Sequence, residues 1–404
     1  MALAIFVWWA AFLAVMYLIY TTHPDGAGDY LAYDKAANAI VQDLPIYTGL
    51  DGDKPYLYPP LLAIALAPMV TLSSSYQTHI TVWFVVNTAC LILGVWLVTR
   101  ELPSKRLQVG LWVLPPLFAP VFLAYLHGQV TIILFTLIAG AWASARRGNA
   151  NMAGALLALA AWIKVYPVVI LGLFLLRRDW KALRAAIITG IALGILQIVM
   201  AGPENMAVFV TRILPEMGTT GQTFGYHANV SLFGFFGRLF LPHPFVDKPL
   251  VDSHLLFTAS RLIASFMLML TLVVLILRDR TATGSRFDLQ YALVIVSMIL
   301  LTSSIGVSGL VVLILVYAIL FATPARSFEK KRIWMWCLIT LLLSPIDALI
   351  LVGRNAAEPV PMSAWMLSTS FFLLLGLWSL LALRLWKSPI QTVAPENRPI
   401  YLSR

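Results

Sequence analysis

The sequence predicts an all-α protein that crosses a membrane about twelve times. Of its 404 residues, 60% are hydrophobic and only 11% are charged, whereas a soluble domain usually carries about 25% charged residues. The mean hydropathy is +0.86. Apolar runs recur along the whole chain, and a bilayer forces such runs to form helices because their backbone groups must be satisfied internally. Soluble enzymes, disulfide-rich secreted domains and disordered chains are therefore excluded.

The apolar runs define the expected spans. The first, near 3–20, reads as a retained span because no basic residues precede it and no small-residue cleavage site follows it. The short piece 58–69 is expected to lie in the interface or to re-enter. Further runs lie near 78–99, 107–126, 130–145, 150–163, 167–176, 183–202, 255–277, 289–302, 308–322, 333–351 and 362–386. Several are shorter than a usual span, which favours broken or tilted helices around a cavity.

The net charge of +10 indicates orientation and not a nucleic-acid partner. With the N-terminus in the cytoplasm, cytoplasmic loops hold 20 of the 28 Lys and Arg residues but only 6 of the 18 Asp and Glu residues. This distribution follows the positive-inside rule. The prediction is one membrane domain over 1–386 with a cytoplasmic tail at 387–404. Two large segments then face outward, 21–77 with interfacial helices and 203–254.

Asp29 opens a polar stretch just after the first span. With Tyr33 and Ala36 it falls at i, i+4 and i+7, on one face of a helix. A carboxylate at the membrane surface can take a proton from a hydroxyl. The same position also suits a helix N-cap, which spacing alone favours. The other acids of this segment are expected to be solvated, namely Asp25, Asp34, Asp43, Asp51 and Asp53.

Two polar breaks interrupt apolar runs, and polar groups at membrane depth are candidates for function. His127, Gly128 and Gln129 form the first break. His127 could contact a phosphate oxygen, or it could cap a tight turn. Lys164 is the single charge of a long apolar stretch, and Pro167 breaks the helix after it. Lys164 either neutralises an anion or snorkels to the outer interface.

The second outer segment gathers a further polar cluster. His227, Asn229, Ser231 and Arg238 lie close together in sequence, and Arg212 precedes them. Arginine suits bidentate recognition of an oxyanion, so Arg212 and Arg238 are candidates to contact a phosphate. Pairing with lipid head groups is the alternative for both arginines.

Several common catalytic motifs are absent from the sequence. It contains no phosphate-binding glycine-rich loop, no nucleophile elbow, no zinc motif and no haem motif. It also contains no soluble nucleotide-binding domain. A transferase of this kind would therefore take its donor from a lipid, and we expect no cofactor and no metal site.

A set of short motifs in a fixed order carries a family resemblance across about 29–240. The motifs are Asp29 with Tyr33 and Ala36, Pro45-Ile46-Tyr47, Tyr58-Pro59-Pro60-Leu61, Pro68, Gly128-Gln129-Val130, Ile163-Lys164-Val165-Tyr166-Pro167, Arg177-Arg178, Trp180, Asn229, Ser231 and Gly234. This order resembles glycosyltransferase family 87, integral-membrane GT-C enzymes that use polyprenyl-phosphate sugars. The family includes mannosyltransferases of mycobacterial phosphatidylinositol mannoside synthesis.

The resemblance implies a GT-C fold and an inverting transfer of a hexose, with mannose the expected sugar. The donor would be a polyprenyl-phosphate sugar, and the acceptor a lipid or glycan on the outer face of the inner (plasma) membrane. The resemblance assigns Asp29 as the general base and leaves the charge of the leaving phosphate to side chains. The candidates to bind the donor are Lys164, His127, Gln129, His227, Arg212, Arg238, Asn229 and Tyr58.

One segment departs from the family pattern. Family members often carry a Pro-x-x-Trp-x-His-His-like segment before a late span. The corresponding stretch here is 300–315, with Ser308 and Gly309 where the histidines would stand. This departure keeps open the alternative of a non-catalytic relative of the family. A multi-pass transporter of lipids or oligosaccharides is a separate alternative from another class of function.

Overall fold

The computed structural model describes residues 2–22, 28–48, 55–217, 228–243, 246, 248–324, 331, 335–336 and 363–387. The part of the chain so described is helical, as predicted. The helices are α1 (Ala2–Thr22), α2 (Gly28–Val41), α3 (Pro60–Leu72), α4 (Tyr76–Thr99), α5 (Lys105–Val113), α6 (Ala119–Leu126), α7 (Thr131–Arg146), α8 (Ala150–Ile163), α9 (Val168–Leu176), α10 (Trp180–Ala201), α11 (Pro203–Val208), α12 (Leu214–Glu216), α13 (Leu232–Phe240), α14 (His254–Leu277), α15 (Gly284–Leu301), α16 (Leu313–Ala322) and α17 (Thr369–Lys387).

Six of the described helices are long and apolar enough to cross a membrane, namely α1, α4, α10, α14, α15 and α17. Four shorter apolar units accompany them: α3, α7, α8 and the stretch Val307–Ala322, which ends in α16. The prediction of an integral membrane protein is confirmed. The count of twelve spans is not reached by these helices, and the run predicted at 333–351 lies outside the described residues.

The run predicted as one span at 107–126 is in fact broken. Pro115 and Pro116 belong to a 3₁₀ turn between α5 and α6. Proline lacks the N–H group that a continuous helix needs, and its ring clashes with the preceding turn. The 8 residues of α6 therefore extend only about 12 Å. A second break separates α8 from α9 at 164–167, where the sequence predicts it.

The helices form a buried centre and a lipid-facing periphery. In α15, 83% of the apolar window is buried, against 17% in α1 and 11% in α10. The 3₁₀ turn Val307–Val312 and most of α16 are also buried. The outward faces of α10 and α14 carry exposed Leu, Ile, Val and Phe side chains. Apolar side chains on this scale suit contact with lipid tails, because water would disfavour them.

The predicted cytoplasmic loops meet at one end of the helices. Arg146 at the end of α7 lies 3.4 Å from the Asp288 carboxylate, and Arg147 lies 2.5 Å from Glu101. The 16 residues of α7 place its first residue, Thr131, about 24 Å from this charged cluster. Two ends of the molecule are thus chemically distinct.

The first predicted outer segment folds back onto the helices. The Ile46 backbone N–H donates to the Asn205 side chain (2.9 Å), and the Leu61 backbone N–H donates to the Gln197 side chain (2.9 Å). α3 packs between α2 and α10. Its 13 residues are too few to cross a bilayer alone. This length agrees with the prediction that the piece 58–69 does not cross.

Close packing of α8 on α10 gives a stability prediction. A Cβ added at Gly154 would overlap the backbone oxygen of Ala182, whereas nothing lies within 4 Å of a Cβ at Gly172. Gly154→Ala is expected to destabilise the protein by about 1–3 kcal/mol. The matched change Gly172→Ala is expected to be neutral or to stabilise by up to about 1 kcal/mol. Thermal unfolding in detergent measures both, and equal melting temperatures for the two variants would contradict this packing.

Candidate active site

Asp29 lies at the start of α2 and is bonded to the turn between α6 and α7. It is the second residue of the helix, so it is not the N-cap. Its backbone N–H donates to the backbone oxygen of His127 (3.0 Å). The N-cap alternative is therefore not supported, and the Asp29 carboxylate is half-buried.

The turn at 127–129 is a Schellman motif, in which glycine adopts a left-handed conformation. Gly128 has φ +63°. Its N–H donates to Tyr125 (2.9 Å), and the N–H of Gln129 donates to Ala124 (2.8 Å). This is the usual way to end a helix on glycine. His127 is the C-cap residue of α6, which agrees with the capping alternative for this histidine. The motif turns the chain so that Gln129 faces α2.

The side chain of Gln129 connects Asp29 to a buried tyrosine. Its amide Nε2 donates to the Asp29 carboxylate. Its carbonyl oxygen lies 3.4 Å from the Tyr33 hydroxyl, which also lies 3.4 Å from the Tyr58 hydroxyl. Burial raises the pKa of Tyr33 well above its usual value, so the hydroxyl stays protonated and can donate. Because the carbonyl faces Tyr33, the amide N–H groups face Asp29 and orient its carboxylate.

Lys164 points its ammonium group at two tyrosine rings. It follows the last residue of α8, and its extended backbone begins the break before Pro167. Its Nζ lies 5.1 Å from the ring centroid of Tyr58 and 5.6 Å from that of Tyr166. The ion pairs within 4.0 Å among the described residues do not include Lys164. An ammonium held by aromatic faces, with no carboxylate within 4.0 Å among the described residues, remains available to an anion.

Sequence reasoning missed Tyr166 as a site residue. Tyr166 is half-buried and contributes one of the two rings that face Lys164. The sequence feature that could have identified Tyr166 is its position, because it lies between Lys164, the only lysine of this stretch, and the helix-breaking Pro167. Nothing in the sequence shows that this ring and Tyr58, more than a hundred positions earlier, face the same ammonium group.

The stretch 300–315, which corresponds to the histidine-containing segment of other family members, packs beside this site. The backbone oxygen of Ser308 accepts a hydrogen bond from the Thr131 hydroxyl (2.9 Å), two residues after Gln129. A Cβ at Gly309 would overlap the Ile305 side chain. Ser308 and Gly309 are both buried. In the described structure, therefore, small residues fit this position, and a histidine at 309 would require Ile305 to move.

Two predicted donor-binding residues of the second outer segment, Arg238 and Asn229, make hydrogen bonds within the protein. Arg238 is fully buried, with Nε donating to the Ser368 hydroxyl (3.0 Å) and NH1 to the Asn229 backbone oxygen (2.8 Å). The Asn229 amide donates to the backbone oxygen of Ser303 (2.9 Å). In the described structure both side chains are engaged by the protein, and a contact with the donor stays a prediction for them. His227 lies outside the described residues.

Arg212 and Arg238 are thus expected to differ in their effect on stability. Arg212 is exposed and pairs with Glu216 (3.2 Å) one helical turn away. Arg238→Gln is expected to destabilise by about 1.5–3 kcal/mol, because buried acceptors lose a charged donor. Arg212→Gln is expected to change stability by less than about 1 kcal/mol, since exposed pairs contribute little. Thermal unfolding of the two variants compares them, and a larger loss for Arg212→Gln would refute this assignment.

Asp34 corrects another expectation from the sequence. We expected a solvated carboxylate, but Asp34 is buried and contacts His79 of α4 at 2.7 Å. The reason is geometric, because Asp34 lies on the face of α2 that packs against α4. Asp43 is exposed, as expected. The other three acids of this segment lie outside the described residues. Within the described part of the chain, no group of three or more His, Cys, Asp or Glu residues could hold a metal ion.

The structure therefore brings together five of the predicted site residues, Asp29, His127, Gln129, Tyr58 and Lys164. They come from α2, the α6–α7 turn, the segment before α3 and the end of α8. A carboxylate, an amide, a cation and aromatic rings thus share one region at the end of α7 that lies away from the charged cluster.

Most of these residues lie in a region that matches a known protein family. The model of glycosyltransferase family 87 matches residues 56–304, more than half of the chain. Tyr58, His127, Gln129 and Lys164 lie within this range, and Asp29 precedes it.

Two mycobacterial proteins are similar in sequence. A polyprenol-phosphate-mannose-dependent alpha-(1-2)-phosphatidylinositol mannoside mannosyltransferase of Mycobacterium tuberculosis is 27% identical over 194 residues, 43% of this chain and 45% of that protein. The protein of the same name in Mycolicibacterium smegmatis is 30% identical over 169 residues, 38% of each chain. The chain therefore aligns with less than half the length of these relatives.

Two solved structures are also similar, at lower identity. The crystal structure of ArnT from Cupriavidus metallidurans bound to undecaprenyl phosphate has a TM-score of 0.47 and 14% identity, covering 94% of this chain and 77% of that chain. The apo state of the same protein has a TM-score of 0.39 and 15% identity, covering 95% and 77%. These TM-scores are too low to establish a common fold.

Proposed function

Because the chain belongs to glycosyltransferase family 87, we propose that it transfers a hexose, with mannose the expected sugar, from a polyprenyl phosphate to a hydroxyl of a lipid or glycan. The observation that carries this proposal is the half-buried Asp29 carboxylate. It is oriented by Gln129 in the same region as the ammonium group of Lys164. A base and a cation are the two groups that displacement of a phosphate by a hydroxyl requires.

Asp29 acts as the general base in this proposal. The acceptor hydroxyl oxygen attacks the anomeric carbon and forms the new glycosidic bond, while its proton passes to Asp29. The bond between the anomeric carbon and the phosphate oxygen breaks, and the polyprenyl phosphate leaves with the electron pair. Because attack and departure occur on opposite faces, the anomeric configuration inverts. The hydrogen bond from Gln129 holds the carboxylate in position to receive this proton.

Lys164 stabilises the negative charge that develops on the leaving phosphate. Its ammonium group is held by Tyr58 and Tyr166 and has no carboxylate partner within 4.0 Å in the described structure. A fixed cation in a partly desolvated site stabilises an anion more strongly than it does in water. His127, at the same turn as Gln129, is the second candidate to contact the phosphate. The roles of His227 and Arg212 stay predictions.

The charge distribution supports an extracytoplasmic location for the site. The basic loops meet at the opposite end of α7, and the positive-inside rule assigns them to the cytoplasm. We therefore place the site on the extracytoplasmic face of an inner (plasma) membrane, with both termini in the cytoplasm. A polyprenyl tail would then lie in the bilayer while its sugar phosphate reaches the loops of segment 21–77.

Sugar transfer by the purified protein tests the proposal. The protein in lipid nanodiscs is incubated with polyprenyl-phosphate mannose and phosphatidylinositol mannoside or glycan acceptors, and products are identified by mass spectrometry and NMR. We expect one new glycosidic bond of inverted configuration for each polyprenyl phosphate released. Movement of the lipid across vesicles without a covalent product would favour the transporter alternative. A folded protein that transfers no sugar from any hexosyl donor would favour the non-catalytic alternative.

A further inference from the structure

A second polar anchor holds α2 on the face turned away from Gln129. We propose that the buried Asp34–His79 pair is a positioning element that sets the geometry of the Asp29 carboxylate. This inference rests on the proposed role of Asp29 as the general base. Asp34 and His79 would thus support sugar transfer as positioning residues, and the sequence had indicated neither of them for this role.

Both ring nitrogens of His79 are engaged. Its Nδ1 lies 2.7 Å from the Asp34 carboxyl group, and its Nε2 lies 2.7 Å from the backbone oxygen of Ser73. A backbone oxygen can only accept, so Nε2 donates to Ser73, while Nδ1 shares a hydrogen bond with Asp34. His79 is 2% exposed and Asp34 is 8% exposed. The two residues are therefore a buried, hydrogen-bonded pair.

The pair joins three helices. Asp34 belongs to α2 and His79 to the first turn of α4, while Ser73 is the C-cap residue of α3. A donor at the C-terminus of a helix is favourable, because the last carbonyl groups have no partner within the helix. His79 thus ties α2 to a helix end and to a membrane-spanning helix at once.

A closed set of contacts carries this constraint to Asp29. The Trp83 indole of α4 donates to the backbone oxygen of Gly128 (2.8 Å) and stacks on Tyr30 at 5.4 Å. The backbone N–H of Asp29 donates to His127 in the same turn. The α6–α7 turn therefore contacts both α2 and α4, and the Asp34–His79 hydrogen bond closes the third side. A displacement of α2 at any one side is resisted by the other two.

The helical period explains why two aspartates of one helix have different roles. Asp29 and Asp34 are five residues apart, so their side chains point about 140° away from each other. Asp29 faces the turn that carries Gln129, and Asp34 faces α4. An isolated helix of 14 residues is only marginally stable in water, so α2 depends on such anchors for a defined position.

The chemistry of a buried polar pair favours a positioning role over a purely stabilising one. The net contribution of such a hydrogen bond to stability is modest, because both groups give up their bonds to water. The pair does define geometry, because the carboxyl group and the imidazole ring must meet in one orientation to form this bond. By fixing the position of α2, the pair would fix the direction in which the Asp29 carboxylate faces an acceptor hydroxyl.

Three variants test the inference in the full-length protein: Asp34→Asn, His79→Gln and the two combined. The matched control is Asp43→Asn, which removes one exposed carboxylate from the same segment and keeps a residue that tolerates φ 56°. The readouts are kcat and donor KM for sugar transfer, and hydrogen exchange of the α2 amides. Hydrogen exchange reports on local opening whether or not the protein is active.

We expect each single variant to lower kcat by at least about tenfold, as misplacement of a catalytic group does. Donor KM should stay within about twofold, because ground-state binding of the donor does not involve α2 in this proposal. The α2 amides should exchange faster in both single variants than in the control. The double variant should be no slower than the worse single variant, since both partners of the hydrogen bond are replaced together.

Two results would overturn the inference. The first is kcat equal to that of the Asp43→Asn control in both single variants. The second is unchanged exchange of the α2 amides, which would count even if the wild-type protein transferred no sugar. Lack of activity in the wild-type protein contradicts the proposed function instead, so the two failures are distinguishable. If a single variant does not fold, the double variant supplies the same comparison.

Discussion

Asp29→Asn is expected to reduce kcat for sugar transfer by about 10²–10⁴-fold, the range that a general base contributes. The asparagine amide cannot take the proton of the acceptor hydroxyl. Its oxygen can still accept the hydrogen bond from Gln129, and the backbone bond to His127 is unaffected. The start of α2 should therefore keep its position. Donor KM should change little, because the proton is transferred only as the new bond forms.

Kinetics of the purified protein with a saturating acceptor measure this effect. Asp43→Asn is the control, since it removes one exposed carboxylate near the other end of α2. Melting temperatures of both variants show whether the fold is kept. If Asp29→Asn retains more than about a tenth of the wild-type kcat, Asp29 is not the base, since a base contributes at least about 10²-fold.

The second large effect is expected from Lys164→Met, which keeps the bulk of the side chain and removes its charge. A hydrogen bond to a charged group contributes about 1.5–3 kcal/mol, which corresponds to about a 10- to 100-fold loss in kcat/KM for the donor. Lys164→Arg should retain most of the activity, because a guanidinium can also lie against the rings of Tyr58 and Tyr166.

Donor titration separates the two roles considered for Lys164. If the lysine binds the phosphate, Lys164→Met weakens donor use while the melting temperature changes little. If the lysine only snorkels to the interface, the donor kcat/KM is unchanged. A loss as large in Lys164→Arg as in Lys164→Met would show that the shape of the ammonium group matters more than its charge.

The membrane class of the protein and the breaks in its helices were predictable from the sequence, because both depend on local chemistry. A composition of 60% hydrophobic residues requires lipid around the helices. The turn at 127–129 and the break before Pro167 follow from a left-handed glycine and from proline, whose effects on the backbone are intrinsic. Lys164 was identifiable because a charge at membrane depth is costly and therefore rarely incidental. Asp29 was identifiable because it opens a polar segment at the membrane surface and matches the family pattern.

Some expectations failed because they depend on which face of a helix packs. Asp34 and Asp43 look alike in the sequence, yet one is buried against α4 and the other is exposed. Arg238 and Arg212 look like equal candidates for a phosphate, yet one is enclosed by the protein and the other is exposed and pairs with Glu216. Neither distinction follows from residue type or from spacing.

By itself, the sequence determined the membrane class, the positions of the polar breaks and the two charges most worth testing. Only the tertiary structure decided the partners of those charges. Gln129 is 100 residues from Asp29, and His79 is 45 residues from Asp34. The physical reason is that periodicity describes one helix at a time. Contacts between helices depend on how all of their faces are buried together.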